Sequence, residues 1–261
     1  MLTYPSDRLP ALSAIAKQTM QMRSPEDRYL AGLWEKTLLL DLQWFRADTN
    51  AEEGGQYRGV RIVSTRMPSW SWASVDARVL WKNYDLLPDD IFGAVELVKI
   101  NCEAEGPAIL GNYHKTQLVF RAPLLRSTLA ALYTRPCRIT DDRMYGSHVD
   151  VEWFQPDFGL DMPGPGHIPR DTVVYLMPLA IVETGAFSLC HSLVLRERSD
   201  LETRPCYERI GFARLEDSVQ MKEFMQSGLQ VPKDVDAYFD DAKKRFERSF
   251  KSLPQVEVVL I

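Results

Sequence analysis

The sequence lacks the short motifs that mark metal and nucleotide sites. It has no Cys-x-x-Cys pair and no His-Glu-x-x-His, the spacings that bring zinc ligands together on a turn or helix face. No P-loop is present. "GPGHIPR" begins like a dinucleotide-binding turn, but Pro169 stands where the third glycine belongs and no strand–helix frame surrounds it. No Gly-x-Ser-x-Gly elbow marks a serine nucleophile. The expectation is therefore no cofactor and no metal.

Cysteine is scarce: Cys102, Cys137, Cys190 and Cys206, at wide and irregular spacings, with no Asn-x-Ser/Thr sequon. That excludes a disulfide framework and predicts reduced thiols in a cytoplasmic protein. Long apolar runs are missing too. The longest goes from Val173 to Val182, about half of the ~20 residues a spanning helix needs. Asp7 and Arg8 interrupt the N-terminus before an apolar stretch builds, so neither a secretory signal nor a membrane partner is expected. Positive charge is thin. The net charge is -5, and Arg126, Arg135 and Arg138 are too sparse to track phosphates, which argues against nucleic acid.

What is present is an ordinary core-forming composition, 45% hydrophobic and 26% charged over 261 residues. Helix signals come first. Asp7 and Pro10 start one helix over 7–22; Ser24, Pro25 and Asp27 resemble a capping box that starts a second over 25–45, with Leu30, Leu33, Trp34, Leu38 and Trp44 on its stripe. From residue 60 the period shortens, and strands are predicted at 60–65, 69–75, 91–104, 116–126, 147–154, 172–183, 188–197 and 206–215. "EAEGPAILGN" reads as a hairpin and "PDFGLDMPGPGHIPRD" as a long loop. A weak helix at 217–227 and a stronger one at 233–251 follow. The latter carries Val235, Phe239, Ala242, Phe246 and Phe250 on one stripe, with acids in its first half and bases in its second. "VEVVLI" closes the chain as a paired strand. The predicted fold is α+β: two N-terminal helices on a mostly antiparallel β-sandwich or barrel, with a C-terminal helix and closing strand. Residues 1–50 form the helical segment and 51–261 the β-rich part of one unit.

Candidate chemistry is limited. His114, His148, His167 and His191 are scattered, and Cys190 and His191 face opposite ways in a strand. Asp150 and Glu152 share a strand face, which permits paired-carboxylate chemistry, though a solvated face accounts for the same residues. If the fold encloses a pocket, His148, Asp150, Glu152 and His191 are the groups to inspect. "PSWSWASVD" puts Trp70 and Trp72 two apart; its small neighbours favour packing against Trp34 and Trp44 over a ligand platform.

Three blocks carry a resemblance. "LTYPSDRLPALSAIAK", "DRYLAGLWEKTLLLDLQW" and "PSWSWASVD", in that order, resemble the region after the effector domain of fungal heterokaryon incompatibility (HET) proteins. Trp34, Trp44, Trp70, Trp72 and Asp76 belong to that signature, and "VYLMPLA", "SLVLRE" and "CYERIGFARLE" resemble the closing strands more loosely. The resemblance implies a role in non-self recognition and regulated cell death. The family's effector, which is similar to TIR domains, is not among these blocks, so no catalytic residue carries over. The implied function is that of an accessory or regulatory protein acting by protein–protein contact, with full-length HET-domain proteins as partners and no catalytic mechanism carried over. The alternative is a β protein that binds an apolar small molecule, or a cyclase- or isomerase-like enzyme of fungal specialised metabolism.

Overall fold

A computed structural model describes residues 4, 7–47, 59–62, 67–81, 91–111, 113–130, 137–138, 149–160, 166–184, 187–198, 204–226, 230 and 234–261. In chain order its first elements are α1 (Arg8–Met22), β1 (Tyr29–Leu30), β2 (Leu33–Trp34), α2 (Leu38–Asp41), β3 (Trp44–Arg46), β4 (Val60–Arg61), β5 (Val75–Asp76) and β6 (Val79–Trp81). Then come β7 (Glu96–Ala104), β8 (Tyr113–Pro123), β9 (Leu125–Thr128), β10 (Cys137–Arg138), β11 (Val149–Pro156), β12 (Val173–Thr184), β13 (Phe187–Arg198) and β14 (Cys206–Asp217). The chain ends with α3 (Ser218–Gln226), α4 (Val235–Lys251) and β15 (Gln255–Leu260). The fold is mixed and β-rich.

The second predicted helix does not form. Residues 29–34 make a two-residue hairpin, with Tyr29 opposite Trp34 and Leu30 opposite Leu33. Its turn residues Ala31 and Gly32 have φ of 48° and 97°, the left-handed pairing that matches strand twist. Three distant side chains hold this turn. Tyr113 Oη accepts from Ala31 N at 2.7 Å, Ser71 Oγ donates to Ala31 O at 2.6 Å, and Trp72 Nε1 donates to Gly32 O at 3.0 Å. Asp27 does not serve a capping box. Its carboxylate accepts from Lys36 N and from Arg23 Nε, so it closes a loop instead of opening a helix. In α1 the Asp7 side chain makes no cap bond.

The long strands build one nine-stranded sheet in the order β7-β8-β15-β14-β13-β12-β9, with β11 also on β14 and β10 on β11. All of its pairs are antiparallel except β14–β15. The sheet forks at β14. One edge of that strand pairs with β15 at Cys206 and Tyr207, and with β11 from Gly211 to Asp217. The gap between is filled by Ser69, whose Oγ accepts from Arg209 N at 2.9 Å while its own N–H donates to Ile261 O at 3.0 Å.

Helix α4 covers one face of the sheet. Phe239, Ala242, Phe246 and Phe250 are buried beneath it, and Asp234 caps its start through Ala237 N. Arg245 Nε reaches Asp217 Oδ2 at 2.8 Å, and Asp217 Oδ1 caps α3 through Val219 N and Gln220 N. The other face lies under the irregular N-terminal layer of β3, β6 and the segment around Trp70. Among the described residues, no helix is long and apolar enough to cross a membrane.

Candidate functional site

The tryptophan stretch is not a strand. Residues Trp72–Ser74 form a 3-10 turn that Ser71 caps by accepting from Ala73 N. Trp70 and Trp72 therefore separate. Trp70 is fully buried, and its carbonyl accepts from Trp44 Nε1 at 2.9 Å. Trp72 is half-buried and faces the Ala31–Gly32 turn. Trp34 packs on Tyr29, with Arg23 over its ring at 4.8 Å. Asp76 pairs with Arg8.

Beside Trp44 lies the most buried charge pair in the described structure. Arg209 and Asp157 both have no exposed side chain, and Arg209 Nε and Nη2 reach the two carboxylate oxygens at 2.8 and 3.1 Å. Two further guanidinium hydrogens go to Leu42 O at 2.6 Å and to Trp44 O. The guanidinium carbon stands 3.5 Å from the Trp44 ring centroid, a cation–π contact stripped of water. The pair was not singled out from the sequence. Its one signal is an arginine inside the otherwise apolar "RIGFA", and a bulge at Ile210 (Leu195 pairs with Arg209, Val194 with Gly211) turns it inward.

Three of the four sequence candidates share one sheet face. His191 lies opposite Arg214, and Arg214 opposite Trp153; in the next row Leu189 lies opposite Glu216, and Glu216 opposite Asp150. Glu152 occupies a bulge between these rows and pairs with Arg214, with Nε 2.8 Å from Oε2 and Nη2 donating to Oε1 at 3.2 Å. Arg214 also stands over the Trp153 ring at 4.8 Å. His148 lies outside the described residues.

The cluster is partly roofed. Gln43 and Phe45 of the N-terminal layer press on it: His191 Nδ1 is 2.8 Å from Gln43 Oε1, and Phe45 contacts Trp153 and Phe212. A carbonyl oxygen only accepts, so Nδ1 of this histidine carries the proton. His191 is 5% exposed, while the Glu152 side chain is 34% exposed. Burial, and then the charges of Asp150 and Glu152, push the Glu216 carboxyl above its ordinary range.

No family model, curated protein or solved structure matches the chain. Among the described residues, no three His, Cys, Asp or Glu side chains are placed to hold a metal ion. Cys102, Cys190 and Cys206 are free thiols, and burial pushes Cys190 up to about 12. Asp150, Glu152 and His191 are brought to one face, but Glu152 is already neutralised by Arg214 and His191 already donates to Gln43. The arrangement ties β3 to the sheet.

Proposed function

We propose that this chain is a regulatory module of the HET kind, acting by protein–protein contact in fungal non-self recognition, with HET-domain proteins as its partners. The observation that carries this reading is the division of labour in α1, which lies within the first resembling block. Arg8, Leu9 and Ala16 face inward, whereas Leu12, Ile15 and Met22 are 39, 62 and 84% exposed. Three and ten residues beyond Leu12, the last two fall with it on one side of the helix. Such an apolar stripe is a contact surface for another protein. Consistent with a signature that acts as a unit, the three blocks interlock: Arg8 with Asp76, Ser71 with Ala31, Trp72 with Gly32, and Trp44 with Trp70.

Isothermal titration of the intact chain with a purified HET-domain protein from the same fungus tests the reading. The expected result is saturable binding, lost in the double variant Ile15→Asp/Met22→Asp at unchanged melting temperature. Undiminished binding by that variant, or no binding to any HET-domain protein of that fungus, overturns it.

The second reading, a small-molecule-binding β protein or cyclase-like enzyme, is favoured by one observation. Trp153, Phe45 and Phe212 form an aromatic group beside Glu152 and His191. Its test is a thermal-shift screen of apolar ligands. A stabilising hit whose effect Trp153→Ala removes supports it; no hit sinks it.

A further inference from the structure

Strand β7 stands at one end of the nine-stranded sheet, and among the described residues β8 is its one neighbour. In an antiparallel pair only every second residue exchanges hydrogen bonds with the neighbour, so half of the β7 N–H and C=O groups point outward. Such an edge is a template for a further strand unless something blunts it. Two bulges interrupt β7, between Leu97 and Lys99 and between Glu103 and Ala104. Between them residues 99–103 keep unbroken register with β8, from Lys99 opposite Val119 to Glu103 opposite Lys115. The bulges frame a straight segment and leave its outer edge uncovered by either of them.

That segment reads Lys-Ile-Asn-Cys-Glu. Alternation puts Lys99, Asn101 and Glu103 on one face and Ile100 and Cys102 on the other. Lys99 and Glu103 are exposed, while Ile100 and Cys102 pack against the core. Turned end over end, the segment complements itself. A two-fold axis at Asn101 brings Lys99 opposite the partner's Glu103, and Glu103 opposite the partner's Lys99. On the core side, Ile100 meets the partner's Cys102. Two edges that join must keep like faces together, so the axis has to pass through a residue. Of these axes, the one at Asn101 alone pairs the whole of 99–103. An axis at Lys99 would set two lysines against each other, and one at Ile100 would set Lys99 against an asparagine. A lysine on an edge ordinarily turns strands away; here the strand that neutralises it is a second copy of its own.

We propose that residues 99–103 of β7 are a dimer interface, pairing antiparallel with the same segment of a second copy of this chain so that the sheet runs on across the axis. The contact is isologous: the same patch serves both copies, and each favourable pair occurs twice. Opposite charges directly across a strand pair stabilise it, and like charges there destabilise it. The interface is separate from the exposed stripe of α1 and does not rest on the reading given to that stripe.

Sedimentation equilibrium of the intact chain over a series of concentrations tests this, and a monomer–dimer equilibrium is expected. Lys99→Glu and Glu103→Lys should each weaken the dimer roughly tenfold, because each sets like charges face to face twice. The double variant Lys99→Glu/Glu103→Lys should restore it. Glu103→Lys also places a lysine opposite Lys115; that lowers the melting temperature of the single and the double variant alike and leaves the restored affinity as the readout. A cross-link reads the register independently, even if the charge variants fold poorly. Asn101→Cys sets two thiols across the axis with Cα atoms about 4.5–5.5 Å apart, within disulfide reach, so mild oxidation should give a covalent dimer. In the parent, Cys102 faces the partner's Ile100 and should form no such link. A chain that stays monomeric throughout, a double variant no tighter than the single ones, an Asn101→Cys chain that does not cross-link, or a parent that links through Cys102 overturns the proposal. So does a dimer lost in Ile15→Asp/Met22→Asp, which would move the interface to α1.

Discussion

Arg209 and Asp157 face each other with no solvent between them, 2.8 Å apart, at the point where β14 meets the N-terminal layer. Removing one partner strands the other charge. Arg209→Met or Asp157→Asn should each cost about 3–5 kcal/mol. Replacing both is not neutral here, because Arg209 also serves the carbonyls of Leu42 and Trp44. Each orphaned carbonyl costs about 1–3 kcal/mol. The double variant Arg209→Met/Asp157→Leu should therefore stay below the parent in urea melts; full recovery of stability would refute this account.

Gly32 is required by two independent constraints. Its φ is 97°, and a Cβ there would stand 2.6 Å from Trp72 Nε1. Gly32→Ala should cost about 1–3 kcal/mol from backbone strain alone, with a further loss if the indole bond to Gly32 O breaks. Restored stability in Gly32→Ala/Trp72→Phe relative to Gly32→Ala alone would assign part of the cost to the clash. Chemical denaturation of the four proteins reads the coupling.

The two tryptophans of "PSWSW" should not be equivalent. Trp70 has no exposure, and Trp70→Ala should cost about 3–5 kcal/mol. Trp72 is half-buried, so Trp72→Ala should cost less. Equal losses in parallel melts would contradict the separation seen here.

Stability should fall at high pH. Burial pushes the Cys190 thiol up to about 12, Cys102 up to about 11 and the Tyr29 hydroxyl up to about 12. These groups hold their protons in the folded state and release them on unfolding, so the unfolded chain binds fewer protons above its own pKa. Their contribution is complete below about pH 9 and declines as pH rises toward 12. Urea midpoints at pH 7, 9 and 10.5 measure the decline. In the same series, Cys190 should resist iodoacetamide at pH 8 until the chain unfolds.

The ion pair between Glu152 and Arg214 is partly exposed, at 34% and 20%. Glu152→Gln should change stability by less than about 1 kcal/mol. A larger loss would mean that this pair contributes more to the join of β11 and β14 than a partly exposed ion pair does.

The long strands were legible because their apolar runs are bounded by turn residues; β12, β13 and β14 fall close to their expected positions, as do α3, α4 and β15. The stretch 25–45 was not, for a definite reason. Leu30, Leu33, Trp34 and Leu38 fit a helical period, yet the backbone of Ala31 and Gly32 is claimed by Tyr113, Ser71 and Trp72, none of them local. "PSWSW" alternates like a strand, but Ser71 spends its hydroxyl on Ala31 and on the cap of a 3-10 turn. In the candidate site, residue type was readable while pairing was not. Glu152 and His191 looked available until Arg214 and Gln43 came to them through the fold. Arg209 escaped notice because a bulge changes which residues share a face, and nothing in the spelling of "ERIGFAR" marks one.

The forked strand also sets an order of events. Among the described residues, the hairpin of β7 and β8 joins the rest of the sheet only through β15, which itself lies between β8 and β14. Ser69 then seals the gap by reaching Ile261 and Arg209 at once. A ribosome that has released residues 1–217 has therefore delivered every described strand but one, and still cannot join the two halves of the sheet. Contacts that span so much chain form slowly. Until residue 261 emerges, the free edge of β8 and the lower edge of β14 stay open to any passing strand, and that interval is when this protein is most exposed to misassembly.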